Sequence, residues 1–195
     1  MTPLSRTARR NLLIALMLAM TATRFHHVGD WLHLPDASMA VFFLGGLALR
    51  RHTAFSLLLG LAVLIDWAAV SLAGVSDFCI TAAYAALPLA YAVLWYAGRA
   101  FQARLAPAAM SLCAAWALGV AAAAVSFLIS NGAFYWLGGR YADPHWAHYL
   151  QRAWQWGPLF VRTTALYLAL VGAWCLLRWR ALRSVTEPVT PLELS

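Results

Sequence analysis

The chain has no lysine. All 14 of its basic residues are arginine, set against only 7 acidic residues. Charged residues make up 11% of the sequence, whereas a soluble globular domain carries about 25%. With 63% of residues hydrophobic, that shortage excludes an ordinary soluble fold. Cysteine is scarce as well. Three cysteines without a CxxC pair argue against a thiol–disulfide relay, which needs a paired sulfur to resolve a mixed disulfide. They also exclude a four-cysteine zinc or iron–sulfur site built from this chain alone. No phosphate-cradling Walker motif occurs, so the chain carries no nucleotide-driven motor of its own. No internal repeat is present.

What the chain has in abundance is long apolar runs. A membrane span needs roughly 20 mostly apolar residues. Six candidates lie at about 11–23, 37–49, 54–73, 78–97, 107–131 and 158–177. The expectation is an all-α integral membrane protein, with residues 1–195 forming a single domain of six transmembrane helices. The second span is short, and Pro35-Asp36 before it points to a start below the membrane surface. Arg6, Arg9, Arg10, Arg50, Arg51, Arg99, Arg104, Arg178, Arg180 and Arg183 fall on one side of this arrangement, and Arg24, Arg140, Arg152 and Arg162 on the other. By the positive-inside rule both termini are cytoplasmic. The net charge of +7 then reports topology and not nucleic-acid binding, because the arginines flank helices and form no continuous basic face. Arg9-Arg10 followed by Leu12–Met20 has the layout of a signal peptide. Retaining this first helix keeps the span count even and the arginine bias consistent.

Three segments face outward in this topology: 24–36, 74–77 and 132–157. Five of six histidines fall there (His26, His27, His33, His145 and His148). The last segment is dense in Trp and Tyr, which suits an interfacial anchor belt and also a lid over a flat, partly apolar ligand. His33, His145 and His148 read as ordinary surface residues, whereas His26-His27 directly follow the first helix, beside the mouth.

Cys79 stands out chemically. It falls in the first turn of the expected fourth helix, where Ser76 or Asp77 can cap the orphan amides. A cysteine there feels the positive helix end, which favours the thiolate, a donor for soft or borderline metals. Cys113 and Cys175 fall in the inner halves of apolar helices and read as core-packing residues. Asp66 interrupts an apolar run about two turns below the outer end of the third helix. An intramembrane carboxylate costs roughly 2.5–3.5 kcal/mol at a helix centre, so it is either a functional group or half of an Asp–Arg or Asp–Tyr pair joining helices. Tyr84 is placed to bond Asp66 or to line the pocket edge. Ala82, Ala83 and Ala86 share the Cys79 side of an α-helix, giving a smooth floor for a planar group or a close helix–helix contact.

Six helices in under 200 residues, cytoplasmic termini and an elaborate outer mouth resemble an S-component, the substrate-binding subunit of an energy-coupling-factor (ECF) vitamin transporter. Ala15-Leu16-Met17-Leu18-Ala19 matches the AxxxA pattern by which such subunits dock on the transmembrane coupling protein. The sharper resemblance, over essentially the whole chain, is to the BtuM family of small proteobacterial cobalamin transporters, considered solitary S-components. It rests on the histidine-bearing first loop, Asp66, the Asp77-Phe78-Cys79 segment with Tyr84, and the aromatic loop with Arg152. The resemblance implies binding and uptake of cobalamin, a cobalt corrin. Cys79 would be the axial cobalt ligand, with His27, Asp66, Tyr84 and Arg152 at the ligand's polar rim. It also implies docking of Ala15 and Ala19 on an ECF coupling module with its ATPases. Strong donation from a Cys79 thiolate would weaken the bond to the ligand opposite it, so removal of cyanide from cyanocobalamin is expected as an accessory reaction.

The competing class is an intramembrane cysteine enzyme of the exosortase-like transpeptidase kind, with Cys79 as nucleophile and His26 or His27 as base. Asp77-Phe78-Cys79-Ile80 lacks the Ala-Cys-Ser-Gly surroundings of that family. A haem or copper carrier is disfavoured by the absence of CxxCH and of methionine clusters.

Overall fold

The computed structural model describes residues 5–24, 34–49 and 51–186, without the side chains of Cys79 and of 183–186. Its regular structure is helical throughout, with no strand among the described residues. Among the described residues six α-helices follow in order: α1 (Arg6–Arg24), α2 (Ser38–Ala48), α3 (His52–Ala73), α4 (Leu87–Phe101), α5 (Ala109–Leu137) and α6 (Trp146–Thr186). Three of them, α3, α5 and most of α6, are long and apolar enough to cross a membrane. Large apolar side chains such as Leu64, Trp67, Leu72, Leu128, Leu166 and Trp174 face outward from these three helices, the arrangement expected where the surroundings are lipid.

The short helix is the centre of the bundle. α2 is apolar on every side, and Val41, Phe42, Phe43, Gly45 and Gly46 are all buried. A helix without a polar face is stable only when surrounded, and α2 contacts all five other helices. Its tightest neighbour is α4. A Cβ added at Gly46 would land on the Trp95 carbonyl, and one at Gly98 on the Phe43 carbonyl. Two backbones meet here with no room for a methyl group, the packing that small residues permit. Trp95, Leu94, Phe42, Leu58 and Met20 fill the core around that contact.

Helix ends follow local chemistry. Ser5 Oγ accepts from Ala8 N at 3.1 Å and starts α1. Gly74 ends α3 in the left-handed region at φ 67°, and its N–H and that of Val75 both bond back to Ala69 O.

Two expected boundaries are corrected. The fourth span does not begin as an α-helix at 78. Asp77–Cys79 and Ala82–Ala86 are separate 3₁₀ turns, capped by Ser76 and Thr81, and α-helix starts only at Leu87. Each cap diverts a backbone amide into a local bond, which competes with continuous helix. Likewise, 132–157 is not one long loop. α5 runs to Leu137 and α6 starts at Trp146, leaving only 138–145 between them. Pro158, expected at the helix start, lies inside α6. The aromatic residues supply the reason. Tyr135, Trp136, Tyr141, Trp146, His148 and Tyr149 stack into one cluster that closes the α5–α6 hairpin. The Tyr135 hydroxyl donates to His145 O and accepts from His145 N. This packing makes 146–157 a helical extension where a lid was expected. α6, at 41 residues, is roughly 60 Å long, about twice the hydrocarbon thickness of a bilayer.

Candidate functional site

Four elements end or begin at one pole of the bundle: α1 ends at Arg24, α2 begins at Ser38, α3 ends at Ala73, and α4 begins behind its two 3₁₀ turns. This is the expected outer pole. Arg24, carried there by the last turn of α1, ties these elements together. Its Nε donates to Asp66 Oδ1 at 2.7 Å and its Nη2 to Asp66 Oδ2 at 2.6 Å, a two-pronged ion pair. Nη1 reaches the Tyr91 hydroxyl at 2.7 Å, Ser38 Oγ at 3.1 Å and Asp36 Oδ2 at 3.3 Å. Tyr84 donates to Asp66 Oδ2 at 2.6 Å. Asp36 in turn accepts from Ser38 N and Ser38 Oγ, which fixes the chain where it turns into α2. The two charged side chains at the centre are 12% and 23% exposed, so the pair is desolvated enough to matter energetically.

Asp66 therefore joins both roles open to it in the sequence. It is the intramembrane carboxylate paired with an arginine and a tyrosine, and it lines a cavity. That cavity has a volume of about 580 Å³. Arg24, Asp66, Tyr84 and Tyr91 form its polar floor; Met39, Val70, Phe78 and Phe160 are among its apolar walls. A second cavity of about 370 Å³ shares Arg24, Asp66, Tyr84, Phe78 and Phe160 with the first and extends to Asn131, Phe134, Arg152 and Trp156. Each volume falls within the range of small-molecule sites, and the shared lining makes them one two-lobed space.

Unpaired polar atoms surround that space. Ser126 Oγ, at a fully buried residue of the first lobe, has no partner, and neither do Asn131 Oδ1 and Arg152 Nε in the second. Buried polar groups are paired in the great majority of cases, and an unmatched one costs about 1–3 kcal/mol. These three border the cavity but are sealed from its space, so a bound molecule reaches them only once their side chains turn toward it; Trp95 Nε1 and Gln102 Oε1 are likewise unmatched, away from the cavity. Arg152 also packs its guanidinium over the Tyr141 ring at 5.0 Å, which holds it in place.

Of the residues singled out in the sequence, Asp66 and Tyr84 are bonded to each other and line both lobes, and Arg152 lines the second. His27 lies outside the described residues, as do His26 and His33. The Cys79 side chain is likewise outside them, but its backbone closes the 3₁₀ turn Asp77–Cys79, next to Phe78 of both lobes. The expected source of thiolate activation is corrected. A three-residue 3₁₀ turn ending at Ile80 does not present Cys79 at the N-terminus of a long helix, so no macrodipole acts on it. A different cation is near that turn. Arg140 donates from Nε to Phe78 O at 3.2 Å and from Nη2 to Asp77 O at 3.4 Å, with its guanidinium 5.2 Å from the Phe78 ring centre. The alanine floor is also not formed as expected. With 82–86 in a 3₁₀ turn, the α-helical stripe is lost and Ala83 alone of the three lines the second lobe.

Cys113 is exposed and Cys175 half-buried, so Cys113 does not pack into the core. Among the described residues no group of three or more His, Cys, Asp or Glu side chains is arranged to hold a free metal ion. Ala15 and Ala19 are exposed together on α1, while Leu16 and Met20 face the core.

Arg24, Tyr91, Ser38, Asn131 and Ser126 had no assigned role in the sequence. For Arg24 a signal existed: an arginine on the side that the positive-inside rule depletes, in a chain with one carboxylate inside a span. No protein-family model matches the chain, and a search of curated proteins returns no match.

Proposed function

We propose that the protein is a multi-pass bacterial inner-membrane binding protein for cobalamin that serves its uptake, with the ligand seated at the outer pole over the Arg24–Asp66 network. The observation that carries this reading is the two-lobed cavity with apolar walls, a polar floor and three unmatched polar atoms. A corrin has broad apolar faces and a rim of carboxamides. Carboxamides both donate and accept, so one chemical group matches the Asn131 carbonyl, the Arg152 N–H and the Ser126 hydroxyl alike. The ion pair itself is nearly saturated within the protein. It supports the cavity floor, and the ligand engages the unmatched groups as their side chains turn toward it.

Hydropathy and the arginine bias support the six-span topology and the cytoplasmic termini, and the family resemblance supports the AxxxA docking face and Cys79 as axial cobalt ligand. Ligation does not need the thiolate to form in advance. A coordinating metal lowers the thiol's affinity for its proton and releases it on binding. Arg140, clamped on the carbonyls of Asp77 and Phe78, adds positive charge to the same turn. With thiolate on one face of Co(III), a cyanide on the opposite face leaves as cyanide ion with its bonding pair, and the metal keeps its oxidation state.

Visible spectra and calorimetry of the purified protein with hydroxocobalamin and with cyanocobalamin test the proposal. Native protein binds cobalamin and shifts the corrin bands. Arg152→Ala and Asn131→Ala each weaken binding by about one order of magnitude, the worth of one polar contact. Cys79→Ser still binds but loses the shift. Absence of binding to both cobalamins would overturn the reading; identical spectra for native protein and Cys79→Ser would overturn cobalt ligation alone.

A further inference from the structure

A separate cavity lies at the opposite pole, where α1 begins, α2 ends and α3 begins. Its volume is about 460 Å³, and its lining divides in two. Arg6, Arg9, Arg10 and Arg51 contribute four guanidinium groups; Leu13, Leu49, Ala54 and Leu57 contribute an apolar side. Among the described residues no carboxylate lies within ion-pair distance of any of the four arginines, and both salt bridges found belong to Arg24. Arg51 is the residue preceding α3, and no side chain caps that helix start. The first amides of a helix lack intrahelical acceptors and carry the positive end of its dipole. Four arginines without a carboxylate partner among the described residues and an uncapped helix N-terminus therefore converge on one cleft.

Ordinary topology-setting arginines need only flank the helices. These line a concave space together, and the space continues onto membrane-facing surface: Leu57 is 53% exposed on the outside of α3. A soluble phosphate would use the charged half only. A phospholipid uses both, with its phosphate among the arginines and its acyl chains along Leu13 and Leu57. Basic pockets between helices at the membrane surface are suited to anionic headgroups. We propose that this cleft is a specific site for the headgroup of an anionic phospholipid, holding the start of α1 against the start of α3. The proposal is independent of the cobalamin reading, which concerns the other pole.

Native mass spectrometry of the detergent-purified protein tests it, with dioctanoyl phosphatidylglycerol, dioctanoyl phosphatidylcholine and inorganic phosphate as probes. Phosphatidylglycerol is retained as a single adduct, while phosphatidylcholine and phosphate are not. Each arginine near a headgroup is worth about fivefold, so Arg9→Gln with Arg51→Gln weakens retention roughly 25-fold. Arg178→Gln with Arg180→Gln removes the same charge elsewhere and leaves retention unchanged. A circular-dichroism melt checks that each variant is folded; if the Arg9/Arg51 pair unfolds, the single variant Arg10→Gln, with a fivefold loss, replaces it. Equal retention of the two lipids, or equal loss from both double variants, would reduce the cleft to general surface charge and overturn the site. Phosphate binding as tightly as the lipid would overturn the lipid assignment.

Discussion

Replacing Asp66 by alanine should lower stability sharply, and the structure gives the size of the effect. The substitution removes two charge-assisted bonds from Arg24 and one from Tyr84. Removing one member of a buried pair typically costs about 3–5 kcal/mol, because the other charge is left without its partner. Arg24 keeps Tyr91, Ser38 and Asp36, which places the cost near the lower end, about 3 kcal/mol. For a chain of this size that corresponds to a fall of about 6–12 °C in melting temperature. Tryptophan fluorescence during heating in detergent measures it. The double variant Asp66→Leu with Arg24→Met should sit closer to native than either single variant, since no charge is then stranded. A fall below about 2 °C for Asp66→Ala, or strictly additive single-variant effects, would refute the claim that this pair supports the cavity floor.

Three shorter predictions accompany it. Gly46→Ala should abolish recovery of monodisperse protein, whereas Gly60→Ala, with open space around its Cβ, should not; size-exclusion chromatography compares them. Cysteines introduced at Ala142 and Gln102 should react with a membrane-impermeant reagent from outside the cell only at Ala142, and reaction only at Gln102 would reverse the proposed topology. Ala15→Leu with Ala19→Leu should block cobalamin uptake by cells while purified protein still binds; undiminished uptake would make the exposed pair incidental.

Helix content and the positions of the long apolar stretches were legible in the sequence, though not the full lengths of α5 and α6, because hydropathy over about 20 residues is a local property. His52–Ala73 came within two residues of its expected bounds, and Gly74, a left-handed cap, marked its end. Asp66 was legible for the same reason: one charge in an apolar run must be explained by something. Its partner was not, since Arg24 lies 42 residues away and only the packing of α1 against α3 brings them together. The start of α4 and the fate of 132–157 were also tertiary decisions. Caps at Ser76 and Thr81 compete with an α-helix on nearly equal terms, and stacking between α5 and α6 turned an aromatic segment into helix. Hydropathy counts residues and does not see which faces meet. The unmatched atoms of Ser126, Asn131 and Arg152 come together only where α5 and α6 pack beside one cavity, and the arginines of the opposite pole become a cleft only where α1 leans on α3.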